Sequence, residues 1–328
     1  MAAGAPGVTP GTIRFHDLFQ EPDTFLPEIL EGLGADPKHI APKFFYDAAG
    51  SRLFEEICDL PEYYLTRTEM GILTERAAEI TALIGPDCLL IELGSGNSRK
   101  VRLLLEALRP AAYLAMDISR DHLLGAARLL AADYPWLEVH AACVDYTHRF
   151  TLPFGPEGTR RIAFFPGSSI GNFEPQDTVG FLRDVAHALQ PDGALLVGVD
   201  LKKDPQVLHA AYNDSRGVTA RFNLNLLARI NRELGGGFVL DDFRHSAFYD
   251  TAQGRIEMHL VSQGAQTVRV AGQCFRFASG ETIHTENSYK YGLGEFQDLA
   301  CMAGLHPVRA WTDSRKLFSV HYLSAAPA

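Results

Sequence analysis

The sequence predicts an α/β fold in which a parallel sheet with helices on both faces is joined to a second, mixed α+β domain that is partly inserted. Two observations lead to this prediction. Between residues 68 and 203, short apolar runs alternate with helical patterns, an order typical of parallel sheets. Between residues 243 and 280, β-branched and aromatic runs follow one another across short turns, an order typical of antiparallel strands. We therefore assign residues 68–203 and 292–328 to the first domain, and residues 1–67 and 204–291 to the second.

The first domain is predicted to contain five strands and four helices before residue 203. Its strands are largely continuous apolar runs, as expected for strands that are buried on both faces, and its helices repeat apolar residues at helical spacing. After residue 292, a helix, a glycine break and two further strands complete the same sheet. The predicted strands are 88–93, 111–117, 137–145, 161–172 and 193–200, and the predicted helices are 68–84, 98–109, 122–132 and 177–189.

The second domain contains a helix signal at Asp204, where an N-cap residue precedes a first-turn proline. A further helical stretch ends at glycines 235–237, and four predicted antiparallel strands follow. One more stretch reads as a strand, HTENSYK at 284–290, and it places Glu286 and Ser288 two positions apart. Because side chains alternate along a strand, both should point to the same face, where a solvated surface is the usual alternative to a binding site.

The composition is typical of a globular protein, and the net charge favours a small-molecule substrate. Hydrophobic residues make up 46% and charged residues 21% of the 328 residues, and the formal net charge is -10. A negative net charge disfavours nucleic-acid and anionic-membrane surfaces, because those surfaces recruit Lys and Arg. No apolar run approaches the roughly 20 residues that a membrane helix needs. We therefore expect a small-molecule substrate and neither a nucleic-acid nor a membrane partner.

The five cysteines have neither zinc-site nor disulfide-framework spacing, and the twelve histidines form no HxxxH or HExxH pair. No metal site is therefore predicted, and the thiols are expected to be reduced. The first fifteen residues, MAAGAPGVTPGTIRF, lack the basic and apolar regions of a signal peptide and are predicted to form a loose tail. We expect a cytoplasmic protein that acts as a monomer.

A glycine turn, Gly94–Gly96, follows the first predicted strand and opens a helix, a position where the backbone can approach a ligand closely. Arg99 stands where a dinucleotide fingerprint has its third glycine, so a pyrophosphate site is disfavoured. Asp117 ends the second strand, where a carboxylate can accept from a ribose, and Asp145 ends the third. These residues fit a cofactor that carries an adenosine without phosphates, and S-adenosylmethionine is the common one. Helix caps or turns are the alternative for either aspartate taken alone.

Six further stretches lie in order over most of the chain: FFYDAAGSRLFEEICDLPEYYLTRTE, IELGSGNSRK, GSSIGNFEP, AAYNDSRGVTARFNLN, RIEM and TENS. Together they resemble the bacterial histidine Nα-methyltransferases of ergothioneine biosynthesis. The resemblance implies a class I, Rossmann-like methyltransferase domain with a partly inserted second domain. It also implies three successive methyl transfers from S-adenosylmethionine to L-histidine, through its mono- and dimethyl forms, to the trimethyl betaine hercynine.

The resemblance implies roles at the reacting end of the substrate. Tyr46 and Tyr63 match tyrosines near the substrate amine and are the candidate catalytic groups, because a tyrosine hydroxyl, or a water held by one, can relay the amine proton. Tyr63 also counts as substrate-binding. Asn172 and Tyr212 match the groups that hold the amino-acid backbone, mainly its carboxylate. On the sequence alone, Tyr63 and Tyr212 would be taken for packed core tyrosines.

The resemblance also implies a pocket for the substrate side chain and a cofactor site. Glu286 and Ser288 match the pair that holds the imidazole, and Met258 matches a residue of the same pocket. The position of Met258 between Ile256 and Leu260 on one strand face favours core packing instead. Lys100 is expected to contact the cofactor's carboxylate. The full set of predicted cofactor residues is Gly94, Ser95, Gly96, Lys100, Asp117, Asp145 and Tyr146.

Two other functions remain open. The first is an N-methyltransferase for another amino acid such as tryptophan, which Glu286 disfavours because a single indole N–H cannot satisfy a buried carboxylate. The second is a non-catalytic sensor of S-adenosylmethionine or of an amino acid, which the matching residues on both sides of the transfer axis disfavour. Phe45 and Leu65 depart from the tryptophan and proline expected at their positions, and these departures concern loop packing more than chemistry.

Overall fold

The structure is a computed structural model that describes residues 13–18, 24–147, 149–156 and 158–325. In these ranges the strands form an eight-stranded sheet, a four-stranded sheet and a two-stranded ribbon. The predicted α/β fold is confirmed, since a mostly parallel sheet carries helices on both faces. Within the same ranges, no helix has the length and apolar character needed to cross a membrane.

Fourteen strands and nine α-helices occur in the described part of the chain. The strands are β1 (Ile13–Asp17), β2 (Lys38–His39), β3 (Leu89–Leu93), β4 (Ala112–Asp117), β5 (Glu138–Cys143), β6 (Arg161–Phe165), β7 (Ala194–Asp200), β8 (Phe243–Asp250), β9 (Arg255–Ser262), β10 (Gln266–Val270), β11 (Gln273–Phe277), β12 (Thr282–Tyr289), β13 (His306–Thr312) and β14 (Phe318–Ser324). The helices are α1 (Phe25–Gly34), α2 (Ala48–Cys58), α3 (Tyr64–Ile84), α4 (Arg99–Leu108), α5 (Arg120–Asp133), α6 (Pro175–Leu189), α7 (Pro205–Tyr212), α8 (Val218–Leu234) and α9 (Leu293–Met302).

The large sheet has the strand order β1-β5-β4-β3-β6-β7-β14-β13. The first six strands in this order are parallel, and β14 runs antiparallel between β7 and β13. The chain moves outward from β3 through β4 to β5 and then crosses to the other side of β3 to form β6. The strand order therefore reverses beside β3, and such a reversal opens a crevice at the carboxyl ends of the strands.

Alternate side chains of the large sheet enter two hydrophobic cores, one on each face. On β3, Leu90 packs in the core that also contains Leu73 of α3 and Leu104 of α4. The neighbouring Ile91 packs in the opposite core, with Phe181 of α6 and other residues of α6 and α9. Burial on both faces explains why these strands are continuous apolar runs in the sequence.

The small sheet has the order β2-β12-β9-β8, in which β9 runs antiparallel to both of its neighbours. Helix α8 packs against β8 and β9. The register of β12 shifts between His284 and Glu286, so Thr285 forms a bulge. Beyond the bulge, Glu286 pairs with Met258 and Ser288 pairs with Ile256 on β9.

The two sheets are joined where β7 and β12 end. The amide of Tyr291 donates to the carbonyl of Asp200 at 3.1 Å, and the amide of Lys202 donates to the carbonyl of Tyr291 at 3.0 Å. The Lys290 ammonium lies 2.9 Å from the Asp200 carboxylate, and both side chains are fully buried. Backbone hydrogen bonds and an ion pair thus fix the second sheet against the first.

The predicted start of α7 is confirmed, whereas the predicted tail at the start of the chain is partly wrong. Asp204 caps α7 as predicted, since its side chain accepts from the amide of Gln206. The loose-tail prediction is wrong for residues 13–15, which belong to β1 and pair in parallel with β5 at the edge of the large sheet. Ile13 and Phe15 pack against the core there. Residues 1–12 of that prediction lie outside the described ranges, and the division into two domains stays a prediction.

We predict that Gly198→Ala destabilises the protein. A Cβ at position 198, on β7, would collide with Oε1 of the buried Glu69, so the substitution should lower the free energy of unfolding by about 1–3 kcal/mol. The matched control is Gly125→Ala on the exposed face of α5, where a Cβ meets open space and should stabilise by about 0.5–1 kcal/mol. Thermal unfolding midpoints measure both, and an unchanged midpoint for Gly198→Ala would contradict the packing described.

Candidate active site

A cavity of about 500 Å³ opens at the carboxyl ends of β3, β4 and β6, where the strand order reverses. This volume is typical of a pocket for a small molecule or cofactor. The seven predicted cofactor residues all line the cavity, and Tyr46, Tyr63 and Asn172 from the predicted substrate side line it too. The structure therefore brings these ten residues together, although they come from distant parts of the sequence.

The glycine turn after β3 requires glycine for two different reasons. Gly94 has a φ of 70°, and a Cβ there would lie 2.6 Å from the Tyr146 hydroxyl. Gly96 has a φ of 49°, and its Cβ position faces open space within the cavity wall. Ser95 between them is buried, and its Oγ has no hydrogen-bond partner among the described residues. The turn thus presents backbone and an unused hydroxyl to the cavity.

Asp117 ends β4 with its carboxylate at the cavity wall. One oxygen accepts from the amide of Gly96 at 3.1 Å, and the other accepts from the amide of Ser119 at 2.9 Å. Burial raises the pKa of Asp117, although these two hydrogen bonds act in the opposite direction. Each carboxylate oxygen keeps acceptor capacity, as the predicted hydrogen bonds from two ribose hydroxyls would require.

Asp145 and Tyr146 lie in a turn beyond β5. The prediction that the strand extends to Asp145 is wrong, because β5 ends at Cys143. The Asp145 carboxylate accepts from the amide of Thr147 at 3.0 Å, which stabilises the turn. Tyr146 packs edge-on against Phe165 at 5.9 Å between ring centroids. Both residues still line the cavity.

Lys100 lines the cavity but is paired with a carboxylate of the protein itself. Its ammonium lies 2.6 Å from Glu69, which is fully buried and also accepts from the amide of Gly167 at 2.9 Å. A second buried carboxylate, Glu92, does line the cavity; it accepts from the Tyr113 hydroxyl, and burial raises its pKa to about 8. Sequence reasoning missed both acids. The signal for Glu92 was a carboxylate inside the apolar run CLLIEL.

Asn172 approaches the cavity from a 3-10 turn, Ser169–Asn172, and not from the end of a strand. The predicted strand 161–172 is therefore too long, since β6 ends at Phe165. The turn packs tightly on β12, because a Cβ at Gly171 would lie 2.7 Å from the carbonyl oxygen of Tyr289. Asn172 is thus held between the cofactor cavity and the small sheet.

Tyr46 and Tyr63 line the cavity on the side of the other predicted substrate residues, and we call these two side chains the tyrosine wall. Burial, with a further contribution from the Glu286 carboxylate, raises the pKa of Tyr46 well above its ordinary value. Burial and the neighbouring Tyr212 do the same to the pKa of Tyr63. Both side chains are therefore neutral phenols near pH 7, able to donate and accept hydrogen bonds but not to act as phenolate bases.

The other four predicted substrate residues are buried and lie outside the cavity lining: Tyr212, Met258, Glu286 and Ser288. Tyr212 is the last residue of α7, and its ring packs edge-on against Tyr63 at 6.3 Å. Its hydroxyl lies 2.9 Å from Ser288 Oγ. Burial raises the pKa of Glu286 to about 7, although the charge of Lys290 lowers it. A carboxylate and two hydroxyls thus lie behind the tyrosine wall.

One group of three potential metal ligands occurs in the described ranges, on β9 and β12: Glu257, His259 and His284. Arg255 already donates to Glu257 at 2.7 Å, and Glu257 lies 2.9 Å from His259 Nε2. His259 Nδ1 is buried and has no partner among the described residues. Glu257, His259 and His284 thus form a half-buried cluster in which Glu257 is already engaged by Arg255 and His259.

The reversed strand order, the glycine turn and the carboxylate at the end of β4 are features of a class I S-adenosylmethionine-dependent methyltransferase. Residues 25–325 match the family described as histidine-specific methyltransferase, SAM-dependent. The chain belongs to this family, and it is an enzyme that uses S-adenosylmethionine.

Individual relatives agree with this family. A protein named histidine N-alpha-methyltransferase from Mycolicibacterium smegmatis is 44% identical over 292 residues, which cover 87% of this chain and 90% of that protein. A protein of the same name from Mycobacterium tuberculosis is 42% identical over the same shares of the two chains. Ergothioneine biosynthesis protein 1 of Neurospora crassa is 36% identical over 88% of this chain and 33% of that protein.

We predict that Asp117→Ala weakens cofactor binding. Losing hydrogen bonds from a ribose to a charged acceptor costs about 1.5–3 kcal/mol, which is roughly a 10- to 100-fold rise in the Kd for S-adenosylmethionine. Calorimetric titration measures this Kd. The control is Asp133→Ala at the far end of α5, which removes only an ion pair with Arg102 on the surface. Equal affinity in the Asp117 variant and the wild type would remove this residue from the cofactor site.

Proposed function

We propose that this protein transfers methyl groups from S-adenosylmethionine to the α-nitrogen of L-histidine in three successive steps. The product is Nα,Nα,Nα-trimethylhistidine, or hercynine, and the reaction is the first step of ergothioneine biosynthesis. The observation that carries the proposal is the buried pair Glu286 and Ser288 behind the tyrosine wall of the cofactor cavity. A carboxylate and a hydroxyl side by side suit a small ring with polar nitrogens on two edges. The names of the mycobacterial relatives support the same substrate.

Positioning is the main contribution that this chain makes to the reaction. The cofactor supplies a methyl group on a positively charged sulfur, so charge is spread in the transition state and little new charge has to be stabilised. We propose that Asn172 and Tyr212 hold the substrate carboxylate, while Glu286 and Ser288 hold the ring and Met258 packs against it. Fixing a substrate at both ends in a reactive geometry contributes about 7–11 kcal/mol in well-oriented reactions.

Tyr46 and Tyr63 are proposed to serve the substrate amine. An α-ammonium carries a proton near neutral pH, so the amine must lose that proton before its lone pair can attack. The raised pKa of both tyrosines keeps them neutral, so they can orient the lone pair and relay a proton but cannot hold a permanent negative charge. Tyr46 also lies within electrostatic reach of the Glu286 carboxylate, which contributes to the raised pKa of the phenol.

We also propose that the enzyme works as a monomer in the cytoplasm. Within a single copy of the chain, the cavity already brings together ten of the predicted site residues. The five cysteines are all unpaired, which agrees with a reducing compartment. Light scattering of the purified protein checks the monomer, and a mass of twice one chain would contradict it.

We predict that the purified protein with S-adenosylmethionine converts L-histidine into mono-, di- and trimethylhistidine. Mass spectrometry of reactions with each of the twenty amino acids measures both the substrate range and the extent of methylation. Histidine should be the best substrate because it alone offers two ring nitrogens to Glu286 and Ser288. Faster turnover of another amino acid would disprove the histidine assignment, and binding of the cofactor without any turnover would favour a sensor.

We predict that Glu286→Ala impairs the use of histidine without affecting the cofactor. Removing a charged hydrogen-bond acceptor costs about 1.5–3 kcal/mol, so kcat/KM for histidine should fall roughly 10- to 100-fold. The Kd for S-adenosylmethionine should stay within about twofold, because Glu286 lies outside the cofactor cavity lining. The matched control is Glu281→Ala beside the same strand, which removes a partly exposed ion pair with Lys38. Loss of cofactor binding in the Glu286 variant would mean that its location is misassigned.

A further inference from the structure

Lys290 is a buried cation directly behind the predicted substrate pocket, and the reaction described above gives it no role. It follows β12 and is 1% exposed. Its ammonium donates to Ser288 Oγ at 2.8 Å and to the Tyr212 hydroxyl at 3.0 Å, and it lies 2.9 Å from the Asp200 carboxylate. A lysine ammonium has three N–H donors, so these three contacts use all of them.

The charge of Lys290 is stably held in this position. Burial lowers the pKa of Lys290, but Asp200 and Tyr212 outweigh this effect and raise the pKa above its ordinary value. Asp200 is itself fully buried and also accepts from the Tyr64 hydroxyl at 2.8 Å. The group is therefore an ammonium near neutral pH.

An ammonium that donates to two hydroxyls limits the hydrogen bonds that those hydroxyls can still form. Each hydroxyl oxygen accepts from Lys290, so an acceptor position on Ser288 and one on Tyr212 is already filled. Each hydroxyl keeps its hydrogen, and an oxygen that accepts from a cation makes a more strongly polarised O–H donor. The Tyr212 hydroxyl donates to Ser288 Oγ at 2.9 Å, so the Ser288 oxygen accepts twice and its own hydrogen remains to be donated. A ligand with two acceptors can take this hydrogen and also draw the Tyr212 hydrogen away from Ser288.

We propose that Lys290 is a positioning residue that commits the hydroxyls of Ser288 and Tyr212 to donate to the substrate, and so selects a neutral ring that carries one N–H and one acceptor nitrogen. The inference rests on the proposed function. Ser288 donates to the acceptor nitrogen, Glu286 accepts from the ring N–H, and Tyr212 donates to the carboxylate.

The geometry and the charge both favour this arrangement. Glu286 and Ser288 are two residues apart on one strand face, a spacing of about 7 Å, which two hydrogen bonds and a five-membered ring between them can span. A doubly protonated imidazolium would direct a second N–H and a positive charge at an oxygen that already binds the buried ammonium. An indole or a phenol has no acceptor nitrogen for the Ser288 hydroxyl. Glu286 and Ser288 together therefore distinguish a neutral imidazole from an imidazolium and from rings that lack an acceptor nitrogen.

The test compares L-histidine with its pyrrole analogue, in which the ring keeps an N–H but lacks the acceptor nitrogen. With the wild type, we expect kcat/KM for the analogue to be about tenfold or more below that for histidine, the size of one lost hydrogen bond. In Lys290→Met, KM for histidine should rise by about tenfold or more, kcat should change less, and the preference for histidine over the analogue should shrink to within about threefold.

Ser288→Ala is the second variant, and it should remove the same preference while leaving Lys290 in place. Combining the two substitutions should cost little more than either alone, because both remove one donor function. A merely structural role for Lys290 would lower activity on histidine and on the analogue equally, and this result would overturn the inference. An unchanged preference in Ser288→Ala would overturn it too, even if Lys290→Met did not fold.

The Kd for S-adenosylmethionine, measured by calorimetry, is the control for folding in every variant. It should stay within about twofold of the wild type, because Lys290 is outside the cofactor cavity lining. Failure of the proposed function looks different from failure of this inference. In the first case the wild type binds the cofactor but does not methylate histidine, whereas in the second it methylates histidine without preferring it to the analogue.

Discussion

The buried ion pair between Lys290 and Asp200 is the contact on which the arrangement of the site depends. Asp200 is the last residue of β7 in the large sheet, and Lys290 follows β12 in the small sheet, so the pair holds the two sheets together at their ends. Asp200 is also paired with the buried Lys203, so it is the loss of Asp200 that would leave uncompensated buried charge, at a cost of about 3–5 kcal/mol. Because the Lys290 ammonium also holds Ser288 and Tyr212, the contact that joins the sheets also organises the substrate side of the site.

The other side of the site depends on the reversal of strand order beside β3. This reversal opens the crevice, and the Gly94–Gly96 turn lets the backbone approach a ligand within it. The turn that carries Asn172 packs against β12 through Gly171, so the two halves of the site meet at backbone contact distance. The transfer of a methyl group requires this closeness, because the reacting atoms must lie within about 3–3.5 Å.

Much of the fold could be predicted from the sequence because it depends on local patterns. The alternation of apolar runs and helices identified the parallel sheet, and Asp204 and its following proline identified the start of α7. The ends of strands were less predictable, as Asp145 and Asn172 lie in turns that continue apolar runs beyond β5 and β6. The position of β1 depends on pairing with β5, more than 100 residues away, which no local pattern reveals.

The candidate site could likewise be predicted only where it depends on local sequence patterns. The shared direction of Glu286 and Ser288 followed from the period of a strand, and the resemblance to a family supplied their target. Lys290 is two positions further along, on the same side by the same period, but a lysine near a strand end is ordinarily read as solvated. Its burial depends on Asp200, which belongs to the other sheet. The pairing of Lys100 with Glu69 is likewise a contact between two helices, α3 and α4, and only the tertiary structure brings them together.

The bulge at Thr285 determines which face of β12 carries Glu286 and Ser288. Before the bulge, the inward residue of β12 is Ile283, which pairs with Leu260, and strict alternation from it would turn Glu286 outward. The additional residue reverses the phase of the strand, so Glu286 and Ser288 point inward opposite Met258 and Ile256. The direction of the proposed ring-binding pair thus depends on the number of residues in the strand as well as on their identity. In a family member with the same TENS sequence but without the extra residue, the carboxylate of that glutamate would point into solvent.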